Sequence, residues 1–301
     1  MGSEEQRPQN TIISNNTIYN NNIGFWMEQC VNTTMRDNLI DSSDYYTFGI
    51  MGRFEDDFYH DIDTSNTIDG KPVYYIVNQD GIEISELEEV GFLGIVNCTN
   101  ATVRDIDLSD NSYVAMLVAH IHNCTMANIT IQNSHYSIYV KFSSGNLFTN
   151  INVSNNFRGI ELDYSDDNVL LYNTIEDNEE LATIFSHASN NLFHRNNVKN
   201  NQYGLTFYMS TGNEVSENNF INHSFGDSYV VSFSQGACNN LFHHNNFIDN
   251  YRQVINYAEC RNIWDDSFEG NYWSNYTGID LDHDGIGDTH HMIDANNTDN
   301  Y

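Results

Sequence analysis

"NNLFHRNNVKNN" at residues 190–201 returns, barely altered, as "NNLFHHNNFIDN" at residues 239–250. With the opening Asn as a marker, related phrases begin at Asn146 ("NLFTNINVSNN"), Asn168 ("NVLLYNTIEDN"), Asn191, Asn213 ("NEVSENNFINH"), Asn240 and Asn262 ("NIWDDSFEGN"), in steps of 22, 23, 22, 27 and 22 residues. "TIISNNTIYN" from Thr11 and "TTMRDNLIDS" from Thr33 are also 22 residues apart. Self-similarity at a fixed period of this size marks a solenoid, in which each repeat stacks on the next.

Two solenoids have about this period. Leucine-rich repeats need a dense Leu frame and usually a helical segment, and the chain has neither. Its apolar positions are mixed Ile, Val, Phe and Leu in short alternating runs, such as "GIEL" (159–162) and "SIYV" (137–140), which read as strands. The pattern therefore predicts an all-β parallel β-helix with rungs of about 22 residues. Ile160 and Leu162, or Ile138 and Val140, would point inward and stack on their equivalents one rung away. Rungs about 4.8 Å apart, roughly ten of them, give a rod on the order of 50 Å long. Asn at matching turns would form side-chain ladders up the stack. Between Ser42 and Asn97 the period blurs, and "DDFYHDIDTSNTIDGKPVYYIVNQDGIEI" carries a turn signal at Asp69-Gly70. That region reads as an elaborated rung with a projecting loop. The chain thus divides into an N-terminal extension (1–9), the β-helix (10–275) with its insert at about 42–97, and a tail (276–301).

The charge is lopsided: 42 Asp plus Glu against 11 Lys plus Arg, a formal net charge of -31. Such a field repels nucleic acid and anionic membranes and concentrates cations. No apolar run is long enough to span a membrane. "MGSEEQRPQN" lacks the basic start and apolar stretch of a secretion signal, so the reading leaves either a cytosolic protein or a segment of a longer exported chain. The five cysteines contain no CxxC pair, which argues against a zinc ribbon or thioredoxin-like site.

The repeated phrases, the insert "HDIDTSNTIDGKPVYYIVN" (60–78) and the closing "GNYWSNYTGIDLDHDGIGDTHHMIDANNTDNY" (270–301) together resemble archaeal surface proteins with NosD-like, or CASH-type, parallel β-helix repeats. The resemblance covers nearly the whole chain. It implies a right-handed β-helix, export and a place at the archaeal cell surface, with a tail that runs on in such proteins. It does not imply one activity: the repeats occur in envelope components and adhesins, in copper-site maturation accessories, and in relatives of sugar hydrolases and lyases.

The sharpest local chemistry is "DLDHDGIGD". Asp280, Asp282 and Asp284 fall at positions 1, 3 and 5 of a D-x-D-x-D-G loop, Ile286 offers a carbonyl at 7 and Asp288 stands at 9, as Ca²⁺ coordination asks. Position 12 is His291 rather than Glu, which lowers the expected affinity. A structural Ca²⁺ is expected here, and no organic cofactor. His194 and His243 share a repeat column but are separated by the rung of Ser216, about 10 Å in all, too far for one ion. The sequential pairs His243-His244 and His290-His291 would face opposite ways on a strand, so a Cu or Zn site is not expected.

Outward positions of aligned strands place Tyr139 and Lys141, Glu161 and Asp163, then Thr206 and Tyr208 along one flank. Aromatic rings beside carboxylates suit sugars, and Glu161 with Asp163 are the only candidates for acid–base work on a glycosidic bond. The chain lacks the short signatures of pectinase-like hydrolases and alginate epimerases, and its three lysines leave few bases for lyase chemistry. Sequons at Asn15, Asn32, Asn97, Asn100, Asn123, Asn128, Asn152, Asn222, Asn275 and Asn296 are N-glycan acceptors in an exported protein, except any that lie inside a ladder. Cys238 and Cys260, 22 residues apart in one column, come within disulfide reach. Free thiols packed in the wall are the favoured state, as for Cys98 and Cys124. The sequence reading as a whole is a non-catalytic extracellular envelope, filament or adhesin component, with itself or envelope glycans as partners. Its alternative is a carbohydrate-binding or polysaccharide-degrading β-helix, and its lesser alternative a copper accessory protein.

Overall fold

One coil shows why the phrase repeats. After Asn168, Val169–Leu171 runs extended and Tyr172 turns the chain at φ 57°. Thr174–Glu176 runs extended and Asp177 turns it again at φ 55°. Leu181–Ser186 forms the long side, and His187 and Asn190 lead into the next coil at φ 50° and 56°. Single left-handed residues make the corners. Asn and Asp reach that region at least cost among non-glycine residues and proline cannot reach it, which explains a chain rich in Asn with two prolines. A computed structural model describes residues 7–110, 113–224, 226–281 and 287–300, and the side chains of all of these but 42–46.

The coils stack as a right-handed parallel β-helix with no α-helix among the described residues. Leu147 pairs with Val169, Val169 with Leu192, Leu192 with Glu214 and Glu214 with Leu241, reproducing the sequence steps. Four extra residues between Ile221 and Tyr229 and a fifth between Ser234 and Leu241 account for the long one. The short strands build a 14-stranded sheet and the long sides a 12-stranded sheet. Ile138 lies over Ile160 and Val140 over Leu162. Between the sheets, Phe193, Phe220, Phe247 and Trp273 form one stacked column and Phe185, Phe207 and Phe233 another.

Buried amides tie the corners. Asn146, Asn168, Asn191, Asn213 and Asn240 each pass a backbone N–H and a side-chain N–H to the side-chain oxygen of the next rung, and Asn262 ends the run by passing its backbone N–H to Asn297. Asn173, Asn196, Asn218, Asn245 and Asn271 do the same and end on Asp299. The hairpin His291–Met292/Thr298–Asp299 thus caps the last rung. Cys238 and Cys260 are joined by a disulfide with Cα atoms 5.7 Å apart, where free thiols were the favoured expectation; their shared column brings the sulfurs together. Cys98 and Cys124 are free and buried.

The N-terminal region departs from the expected projecting loop. Thr17–Glu28 and Leu39–Met51 pair in parallel, then a turn at Asp69-Gly70 sets Thr67–Ile68 antiparallel to Lys71–Val77. Reversed in this way, the first strands of the 12-stranded sheet fold back over the outer face of its later ones. The reason is in the strands beneath: every residue of Phe92–Val96 and Val114–Ala119 is buried, the mark of strands covered on both faces. Phe48, Ile50 and Phe58 close a second core over Phe92, Leu117, Ala119, Tyr136 and Tyr139.

Candidate metal centre

His243 ends the strand Leu241–His243, and His244 follows at φ 55°. Tyr172, Arg195 and Glu217 occupy the same left-handed corner on the rungs below. Side-chain alternation stops at a corner, so the expectation that the two histidines face opposite ways is overturned. Their Nδ1 atoms stand 2.6 Å apart. His243 Nε2 lies 3.3 Å from Glu214 Oε1, and His244 Nε2 lies 3.1 Å from Glu269 Oε2. An ionised carboxylate has no proton to give, so each Nε2–H donates. Both Nδ1 atoms are then acceptors, and their lone pairs confront each other across a gap that only a shared cation, proton or metal, relieves.

Asp266 is the third group that could hold an ion here. One oxygen or nitrogen from each of His243, His244 and Asp266 lies within 4.8 Å of the others. The turn after Asp266 holds it: its Oδ1 accepts the N–H of Glu269 at 2.8 Å and of Phe268 at 2.9 Å. Those amide bonds, Glu269's first, keep the carboxyl below the usual carboxylate range against the opposing effect of burial. The His243 and His244 side chains keep 15% and 30% exposure, enough to be reached from solvent. A cavity of about 420 Å³ opens beside His244, lined also by Glu269, Trp273, Tyr276 and His291. Each ring thus donates outward to a carboxylate and offers its other nitrogen inward, the arrangement that orients metal-bound imidazoles.

The remaining candidates are dispersed. Asp282, Asp284 and Ile286 of the calcium loop lie outside the described residues. Asp288 accepts the Leu281 N–H, and Asp280 lines the cavity near His244. His194 bonds Ser216 Oγ at 2.9 Å, one rung short of His243, and His291 stacks on Trp273. Nine of the ten sequon asparagines are exposed and Asn152 is half-buried; none belongs to the buried ladders.

On the 12-stranded sheet Tyr139 pairs with Glu161 and Lys141 with Asp163, as the sequence register required. Tyr139 and Lys141 are each only 3% exposed, which corrects their assignment as glycan contacts. The N-terminal layer covers Tyr139, and the rings of Phe142 and Tyr164 lie over the Lys141 ammonium, which is paired with Asp163. Tyr208 is exposed, and Thr206 half-buried. Sequence reasoning passed over Asp266, Glu214, Glu269, Tyr164 and His187. The signal for His244 was its column: Tyr172, Arg195 and Glu217, each just before a ladder Asn, are left-handed corners.

Residues 62–278 match the family model described as periplasmic copper-binding protein (NosD). No curated protein sequence matches the chain significantly. Solved structures share its fold. The A-module of the Azotobacter vinelandii mannuronan C-5 epimerase AlgE6 aligns with TM-score 0.53 and 12% identity over 87% of this chain and 80% of that one. The DFA-IIIase of Arthrobacter chlorophenolicus aligns with TM-score 0.54 and 11% identity over 84% of this chain and 72% of that one. At such identities the likeness is one of fold alone.

Proposed function

The chain belongs to the NosD family, and from that premise we propose that it is an extracytoplasmic β-helical protein that holds a copper ion with His243, His244 and Asp266. The observation that carries the reading is the pair of facing Nδ1 atoms 2.6 Å apart, each ring fixed from behind by a carboxylate. The donors fit the ion: two imidazole nitrogens and a carboxylate oxygen suit Cu²⁺ and related borderline divalent ions better than Ca²⁺ or Cu⁺. Three protein ligands would leave the ion a position open to exchange, which suits carrying copper rather than burying it. The disulfide Cys238–Cys260 supports an oxidising compartment outside the cytoplasm. The protein is read as non-catalytic, a rigid rod that presents a metal. Ca²⁺ in the 280–288 loop is a separate proposal, supported only by its acidic spacing and checked by whether EGTA lowers the melting temperature.

Chelator-stripped protein incubated with excess Cu²⁺ and desalted should keep one ion per chain, with an electron paramagnetic resonance spectrum showing two nitrogen ligands. H243A/H244A should lose that ion, and E214Q or E269Q should weaken it about 10–100-fold, the usual cost of losing an outer carboxylate. Wild-type protein that emerges copper-free, or a double variant with unchanged occupancy and spectrum, would sink the proposal.

A further inference from the structure

Away from the metal cluster, the open part of the 12-stranded sheet carries a carboxyl group one oxygen of which, buried, has no hydrogen-bond partner. Glu161 stands on Arg158–Asp163, just beyond the edge of the N-terminal layer. Its side chain is 16% exposed, its Oε2 makes no hydrogen bond, and its nearest cation, Arg158 Nη1, is 3.7 Å away. Arg158 is itself committed to Glu180, as Lys141 is to Asp163. Tyr136 and Tyr139 from the strand before, Asp163 from its own strand, and Glu180 and His187 flanking the strand after complete the charged and titratable surroundings. Burial leads the causes that push the Glu161 carboxyl up to about 7.

Along the same flank runs a stack of rings at the corners after the long strands. Phe142 meets Tyr164 at 5.5 Å, Tyr164 lies flat on His187 at 4.3 Å, and Tyr208 meets His187 edge-on at 5.4 Å. Tyr164 is 48% and Tyr208 37% exposed, so the last rings present apolar surface to solvent. The floor beside these rings is made of Asp163 and Ser186, in register with Tyr208, and of Ile184 and Thr206, which continue the column of Glu161; all four are half-buried.

A partner for this surface must offer both an apolar face and dense hydroxyls. Nucleic acid and acidic polymers are excluded by the net charge of -31 and by cations already paired within the protein. A purely apolar ligand would strand the carboxyls and hydroxyls of the floor without partners. Sugar rings meet both demands, with C–H faces for Tyr164 and Tyr208 and hydroxyls for the floor. We infer that this flank is a second binding site, for an uncharged glycan chain, with Tyr164 and Tyr208 as its apolar shelf and Glu161 as the hydrogen-bonding carboxyl beside them. The inference stands independently of the copper reading.

The test is a neutral-polysaccharide panel and glycan array on the whole chain at pH 5.5 and 8.5, with copper retention measured alongside. Wild-type protein should bind at pH 5.5 and lose at least tenfold at pH 8.5. E161Q, which keeps a donor at every pH, should bind alike at both, and Y164A/Y208A should lose at least tenfold while keeping its copper and its melting temperature. No retained glycan, preference for a peptide library over glycans, or binding that ignores these substitutions would each overturn the inference. A loss of copper alone would instead count against the metal reading.

Discussion

At Glu161 the same burial that suits hydrogen-bond donation costs stability once the group ionises. Its folded pKa of about 7 lies above the 4.5 of an unperturbed Glu, so the folded chain holds the proton more tightly than the unfolded one. The contribution is fully present below about pH 4.5 and is lost as pH rises through 7. His60 and His223 run the other way. Burial depresses both to about 4 from 6.5, so their contribution is present above 6.5 and lost as pH falls toward 4. Urea midpoints should therefore fall on both sides of neutrality. E161Q should be more stable than wild type at pH 8.5, by roughly 3 kcal/mol at most, with the gap closing near pH 4.5. A gap that stays constant with pH would show that Glu161 is not protonated in the fold. The residue itself was readable from the sequence as an outward position; its missing partner was not, because that depends on how Arg158 chooses between Glu161 and Glu180.

Each ladder asparagine is a small closed circuit. Asn196 accepts from the backbone and side chain of Asn173, and donates to Leu170 O at 2.9 Å and Asn218 Oδ1 at 3.1 Å. Asn196→Ala leaves at least two donors and a carbonyl orphaned in the wall, where each costs about 1–3 kcal/mol. Relaxation recovers part of this, so chemical denaturation should show a loss of roughly 2–4 kcal/mol. A loss below about 1 kcal/mol would mean that water or a shifted corner replaces the amide. These rungs were legible because inward stacking and corner asparagines both leave marks at a fixed period. Two features escaped the period. The reversal at Asp69-Gly70 was seen as a turn, but not that it lays the first coils over Phe92 and Leu117; the unbroken apolar runs "FLGIV" and "VAMLVA" held that information. At His243-His244 strand alternation was carried one residue too far, past the corner at which it ends.

In a stacked rod each coil touches only its neighbours, so a constraint acts where it is placed. The disulfide Cys238–Cys260 ties the two terminal coils that bring His243 and His244 on one side and Asp266 on the other to the same point. Just past the disulfide the same two coils are also joined by the bridge Leu241 to Ile263 and the amide pair Asn240 to Asn262. Opening a loop of this length frees unfolded-chain entropy worth about 3 kcal/mol on the loop-closure argument. Coils as far away as Ile138 and Ile160 have no contact through which to feel it. C238S/C260S should accordingly exchange amide hydrogens faster across 241–273 while 114–163 keeps wild-type protection, and its copper affinity should fall at least tenfold because Asp266 is no longer held against the imidazoles. Uniform loss of protection along the rod would mean that the coils melt as one cooperative unit; unchanged copper affinity would mean that the two histidines and their carboxylates suffice to hold the ion without Asp266.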